Sequence, residues 1–149
     1  MAGSSDTGAL ALPALAPPPR VLLVVAPYYR AIADNLIAGA RGVLERAGAG
    51  VDVVEVPGAL EIPVAIRLAA ASHAYEGFVA LGCVIRGETT HYETVCNDSS
   101  RGLMLLGIER GLAIGNGILT VETMAQAEVR ADPAGQDKGG GAAAAALHL

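Results

Sequence analysis

The stretch Arg86-Gly87-Glu88-Thr89-Thr90-His91-Tyr92-Glu93 holds the densest chemistry in the chain. It follows an apolar run ending at Ile85 and precedes a segment of helical spacing, so it forms a loop that opens onto a helix N-terminus. Free backbone N–H groups, a glycine and two hydroxyls at such a point make an anion cradle. A phosphate there would accept bonds from the amides and hydroxyls near Glu88 and Thr89, while Arg86 or a basic residue from elsewhere neutralised its charge. His91 lies in the first helical turn, where an imidazole that titrates near neutrality suits proton transfer. By spacing alone, the threonines serve equally as helix caps and His91 as a surface histidine.

Two other loops carry unusual residues. In Val56-Pro57-Gly58-Ala59-Leu60-Glu61-Ile62-Pro63 the glycine lets backbone approach a ligand, and Glu61 can accept hydrogen bonds from hydroxyls or cap the following helix. Tyr28 and Tyr29 directly follow a buried strand, where an aromatic could stack on a planar ring or pack in the core.

The elements that must position these loops alternate. Short apolar runs at VLLVVA, 51–56, 77–85 and 112–120 read as strands, the unbroken ones of the kind buried on both faces of a parallel sheet. Helical spacing covers 29–47, with Ile32, Leu36, Ile37, Ala40, Val43 and Leu44 on one stripe and Gly48 and Gly50 as stops, then about 60–75, 90–110 and 123–131. Pro63 fits the first turn of its helix, and Thr90 with Glu93 and Thr123 with Gln126 fit capping boxes. Strand–helix alternation means an α/β fold with a parallel sheet, whose ligands sit outside the carboxyl ends of the strands. A last helix is expected over 138–149, weakened by three glycines at its start. Residues 1–19 end in three prolines and read as a flexible N-terminal arm, leaving 20–149 as a single domain.

Composition narrows the partners. The chain has 149 residues, 52% hydrophobic and only 17% charged, which favours an oligomer over a lone monomer. A net charge of -5 without a basic cluster argues against nucleic acid and anionic membrane, and points to a small-molecule partner. Cys83 and Cys96 offer neither a CxxC pair nor a metal ligand set, and read as reduced thiols. With no membrane-length apolar run and no basic n-region near the start, the expected location is the cytoplasm.

The segments VPGALEIP, GCVIRGETTHYE, VCNDSSRGL and NGILTVET resemble the signature segments of the lumazine synthase family, in that family's order and spacing. The resemblance covers about residues 20–140. It implies a flavodoxin-like three-layer α/β/α sandwich around a four-stranded parallel sheet, assembled as a homopentamer with active sites between subunits. It also implies condensation of 5-amino-6-(D-ribitylamino)uracil with 3,4-dihydroxy-2-butanone 4-phosphate to 6,7-dimethyl-8-ribityllumazine, phosphate and water, with no metal or organic cofactor. Carried onto this chain, Tyr28 would stack on the pyrimidine, Ala59, Leu60 and Glu61 would hold the ribityl chain and ring edge, and Cys83, Val84 and Ile85 would offer backbone groups. Glu88, through its main chain, Thr89 and Arg130 would bind the phosphate, with Lys138 adding to the basic field. His91 matches the proton donor, and Asn116 falls at a ring-contact position of the neighbouring subunit.

The chain departs from the family's commoner pattern at Tyr28, where Phe or Trp is usual, at Leu60, where Phe is frequent, and at Asn116, where many members have an aromatic. Ala131-Asp132-Pro133-Ala134-Gly135-Gln136 lacks the Lys-Ala-Gly run that resembles capsid-forming members, which favours a free pentamer. Two competing readings are an archaeal-type riboflavin synthase and a non-catalytic lumazine- or flavin-binding scaffold. The phosphate loop, His91 and Arg130 speak against both.

Overall fold

The apolar runs form the four strands that the spacing predicts. The computed structural model describes residues 10–149, so residues 1–9 of the expected arm lie outside the described residues. In order, the elements are β1 (Arg20–Val25), α1 (Arg30–Arg46), β2 (Gly50–Glu55), α2 (Glu61–Ala70), β3 (Gly77–Ile85), α3 (His91–Arg110), β4 (Ala113–Val121), α4 (Met124–Ala131) and α5 (Lys138–Leu147). The strands pair in parallel in the order β2-β1-β3-β4.

Alternation along β1 sends its side chains into two cores. Val21, Leu23 and Val25 pack with Leu36 and Leu44 of α1 and with Ala143 and Leu147 of α5. Leu22 and Val24 pack with Ile62 and Ile66 of α2, Phe78 of β3 and Leu103 of α3. Helices α1, α4 and α5 therefore cover one face of the sheet and α2 and α3 the other, a three-layer sandwich of the flavodoxin-like kind.

The polypeptide leaves β1 in one direction and returns across it to β3, so the strand order reverses between β1 and β3. A crevice opens there, outside the carboxyl ends of the strands. β3 also outruns β1. Their last pair is Val25 with Leu81, the Ala26 N–H donates to the Leu81 carbonyl at 2.9 Å, and β3 continues alongside β4 to Ile85.

Four local readings change. Helix α2 stops at Ala70 rather than near 75, because the Ser72 hydroxyl donates to the Ala69 carbonyl (2.7 Å) and accepts from Ala74 N–H (3.2 Å), while His73 turns to φ 54°. Thr90 makes no side-chain cap to α3. Instead the Thr89 hydroxyl accepts from His91 N–H at 3.3 Å, and Glu93 is drawn away to Arg86. At α4 the Thr123 hydroxyl does accept from Gln126 N–H (3.2 Å), but the Gln126 amide oxygen returns to Glu122 N–H (2.8 Å), one residue early. Of the glycines that open α5, Gly139 is a packing requirement: a Cβ there would lie 2.3 Å from the Leu36 carbonyl oxygen of α1, whereas one on Gly141 would meet nothing within 4 Å. On the facing strand, a Cβ on Gly115 would lie 1.8 Å from the Ala142 carbonyl oxygen. Helix α5 thus rests backbone to backbone on its neighbours, with Asp137 capping it by accepting from Gly140 N–H at 3.2 Å.

Residues 10–19 form neither helix nor strand. Leu12 packs against the α1 core, and the Pro19 carbonyl accepts from Gly50 N–H at 2.9 Å. Among the described residues no helix is long and apolar enough to cross a membrane.

Candidate active site

The loops after β1, β2 and β3 enclose a cavity of ≈ 470 Å³ at the reversal point. Tyr28 and Tyr29 enter from the first loop, Ala59, Leu60 and Glu61 from the second, and Thr89 and His91 from the third, over a floor of Cys83, Val84 and Ile85. Nine of the residues singled out in the sequence (Tyr28, Ala59, Leu60, Glu61, Cys83, Val84, Ile85, Thr89 and His91) therefore meet in one place.

Each group is presented by a local device. The chain turns after Gly58, whose carbonyl accepts from Glu61 N–H at 3.1 Å, and this sets Glu61 at the start of α2. Tyr28 is 78% exposed at the mouth and meets Tyr29 edge to face, with ring centroids 4.9 Å apart and an interplanar angle of 74°. Burial pushes the Tyr29 hydroxyl's pKa up. The Thr89 hydroxyl accepts from His91 N–H, which leaves its own hydrogen free to donate toward an anion.

The floor is made by the overhang of β3. Arg86 N–H donates to the Val121 carbonyl at 3.0 Å, so even-numbered residues of this strand direct their main-chain groups toward β4. By alternation Cys83 and Ile85 direct theirs toward the open crevice beyond the end of β1, while their side chains join the α1 core. Burial raises the Cys83 thiol to about 11.

Arg130 and Asn116 do not lie in this cavity. They line a second one, ≈ 660 Å³, with Lys138, between the outer edge of β4 and helices α4 and α5. The Arg130 guanidinium donates to the Gln126 carbonyl at 3.0 Å. Glu88 is exposed in the loop between β3 and α3 without lining either cavity.

Arg86, considered above as a counter-charge for a phosphate, is committed elsewhere. Its guanidinium donates from Nε to both carboxylate oxygens of Glu122 (2.8 and 3.1 Å), donates to Glu93, and lies 4.3 Å from the Tyr92 ring centroid. Arg86 holds the Glu93 carboxyl below its usual range.

Tyr92 and Val95 also line the first cavity, at helical i, i+3 spacing on α3. Their signal was the continuation of the face that carries His91. Among the described residues no group of three or more His, Cys, Asp or Glu side chains could hold a metal ion.

A parallel sandwich whose reversal-point crevice gathers two tyrosines, main-chain groups of a strand end and a hydroxyl-bearing loop beside a histidine defines an α/β protein of the flavodoxin-like class. Comparison with known proteins narrows this. Residues 18–149 match the family model described as 6,7-dimethyl-8-ribityllumazine synthase. Proteins of that name from Jannaschia sp. and Azorhizobium caulinodans are 54% identical over 149 residues and 59% identical over 135, covering 100% and 87% of this chain and 83% of each relative. The one from Novosphingobium aromaticivorans is 58% identical over 130 residues, covering 87% of this chain and 93% of the relative. The chain belongs to the 6,7-dimethyl-8-ribityllumazine synthase family.

Proposed function

We propose that this chain is an enzyme of riboflavin biosynthesis that condenses 5-amino-6-(D-ribitylamino)uracil with 3,4-dihydroxy-2-butanone 4-phosphate, giving 6,7-dimethyl-8-ribityllumazine, phosphate and two waters. The observation that carries the reading is the gathering of Tyr28, Glu61, Thr89 and His91 from three loops into one crevice, in a chain of this family.

The aminouracil's own amine attacks the ketone, so the protein need not supply a nucleophile. Loss of water gives the imine, elimination expels the phosphate, and attack of the ribitylamino nitrogen closes the ring with loss of the second water. Tyr28 stacks on the pyrimidine, Ala59, Leu60 and Glu61 hold the ribityl chain and ring edge, and the Cys83–Ile85 overhang meets the ring with main-chain groups. Thr89 and the main chain at Glu88 hold the phosphate, and His91 moves protons in the carbinolamine, elimination and closure steps.

The site is completed by a second copy, in a homopentamer. Support comes from Asn116, Arg130 and Lys138 sharing a cavity apart from His91, so a neighbour's second cavity facing the first would supply the ring contact and the phosphate's cations together. Further support is the apolar surface on α2 and α3, where Val64, Leu68, Met104 and Ile108 are each at least 60% exposed. A single domain over 20–149 with an N-terminal arm and a cytoplasmic location complete the reading, the latter in keeping with two free cysteines.

The test is purified protein with both substrates, following lumazine absorbance and phosphate release. Equal appearance of both, slowed about 10²- to 10⁴-fold by His91→Ala and sharply by Arg130→Ala, is expected. Light scattering should give about 75 kDa, five chains of 15.0 kDa. Tight lumazine binding without turnover would leave a binding scaffold instead.

A further inference from the structure

The Arg86 guanidinium sits between two carboxylates that belong to different parts of the fold. Glu93 is in the first turn of α3, and Glu122 is in the turn between β4 and α4. Arg86's own backbone is pinned to β4 through the Val121 carbonyl. The segment 86–93 is therefore anchored twice, by main chain at one end and by an ion pair at the other, and it contains Thr89 and His91. The second carboxylate extends the tie to α4, because the Glu122 N–H is held by Gln126 and the same helix carries Arg130. The guanidinium face is covered by the Tyr92 ring, a wall of the cavity.

Charge separates this arrangement from a phosphate ligand. One cation between two carboxylates leaves a net charge of -1, a field that repels phosphate. The rigid fork of an arginine can serve two acceptors in fixed directions, which a lysine cannot.

We propose that Arg86 is a positioning residue that does not contact substrate: through Glu93 and Glu122 it fixes the phosphate loop and His91 relative to the turn that leads to α4. This rests on the synthase reading for the identity of the substrate.

The experiment compares wild type with Arg86→Gln, Arg86→Lys, Glu93→Gln and Glu122→Gln. It measures KM for each substrate, kcat, and the dissociation constant of inorganic phosphate by calorimetry. Removing either carboxylate breaks one arm of the tie and makes the loop less negative. A direct ligand would then bind phosphate more tightly, whereas a strut would lose its hold. All three neutralising variants are expected to weaken inorganic phosphate and raise KM for the phosphorylated substrate about 3- to 10-fold, with the aminouracil KM within about twofold of wild type. Lysine should restore less than half of the loss.

Unchanged or tighter phosphate binding in Glu93→Gln and Glu122→Gln would overturn the proposal. Should Arg86→Gln fail to fold, Glu122→Gln still decides, since that side chain is 56% exposed. A wild type without turnover would sink the synthase reading, while the phosphate series would continue to test the strut.

Discussion

Gly115→Ala should be among the most damaging single-methyl additions in this chain. The new Cβ would stand 1.8 Å from the Ala142 carbonyl oxygen, 2.7 Å from its carbon and 3.3 Å from its Cα. All three are backbone atoms of a helix, so no rotamer change relieves the clash. Helix α5 must back away from β4 until that oxygen reaches the 3.4 Å at which ordinary contact begins. That retreat would loosen Ala142, Ala143 and Ala146, each at most 5% exposed. Overpacking plus the void left behind sums to about 3 kcal/mol or more, or about 6–12 °C in Tm for a chain of this length. Gly42→Ala is the matched control, because in the middle of α1 its Cβ would meet only Arg46 Nη1, at 3.6 Å. It should stabilise by about 0.5–1 kcal/mol through helix propensity. Thermal unfolding by circular dichroism at one fixed protein concentration reads both. If Gly115→Ala melted within about 1 °C of wild type, the backbone-on-backbone docking of α5 would be wrong.

Tyr28 is exposed and bears little of the core, so Tyr28→Ala should leave Tm nearly unchanged while raising KM for the aminouracil about 2- to 12-fold, the value of one aromatic stack; an unchanged KM would remove it from the site. Asp52 is held below the usual carboxylate range by hydrogen bonds from Arg20 first and Tyr75 second. Its contribution is present above its unfolded pKa of about 4 and lost as pH falls through the lower folded value, so Asp52→Asn should reduce Tm at pH 7 more than at pH 3. With its thiol raised to about 11, Cys83 should be about a thousandth ionised at pH 8. Iodoacetamide should then label it far more slowly in native than in denatured protein, which mass spectrometry of the peptide would show.

Much of this architecture was legible because the central strands β1 and β3 are apolar runs between turn signals. GFVALGCVI reads as a strand over 77–85 and is one, since burial on both sheet faces leaves no polar residue to blur its ends. Helix α2 was read too long because apolar spacing continues past Ala70, whereas a single serine hydroxyl competing for the backbone ends the helix. The Thr90–Glu93 box failed for a related reason: spacing shows that Glu93 can reach back to a cap, but not that Arg86 offers a stronger partner across the loop. Tyr28, Glu61 and His91 of the first cavity could be named from the loops after three strands, whereas Cys83, Val84 and Ile85 could be named only through the family resemblance. That Arg130 and Asn116 belong to a different cavity from His91 could not, because it depends on β4 being an edge strand with α4 and α5 folded past it. The glycines before the alanine run looked like a weakness of α5, and one of them, Gly139, is instead a condition for its docking.

The overhang of β3 divides labour within single residues. Cys83 and Ile85 turn their main chain to the crevice and their side chains to the core, so what they would offer a ligand is nearly independent of which amino acids they are. Randomising them would sample stability long before it sampled selectivity, and a library aimed at new ring substrates would find little there. In the proposed site, the dimension that would set the ring's berth is the difference in length between two neighbouring strands. Extending β1 by a pair of residues would cap those main-chain groups and close the berth without altering a single side chain in it.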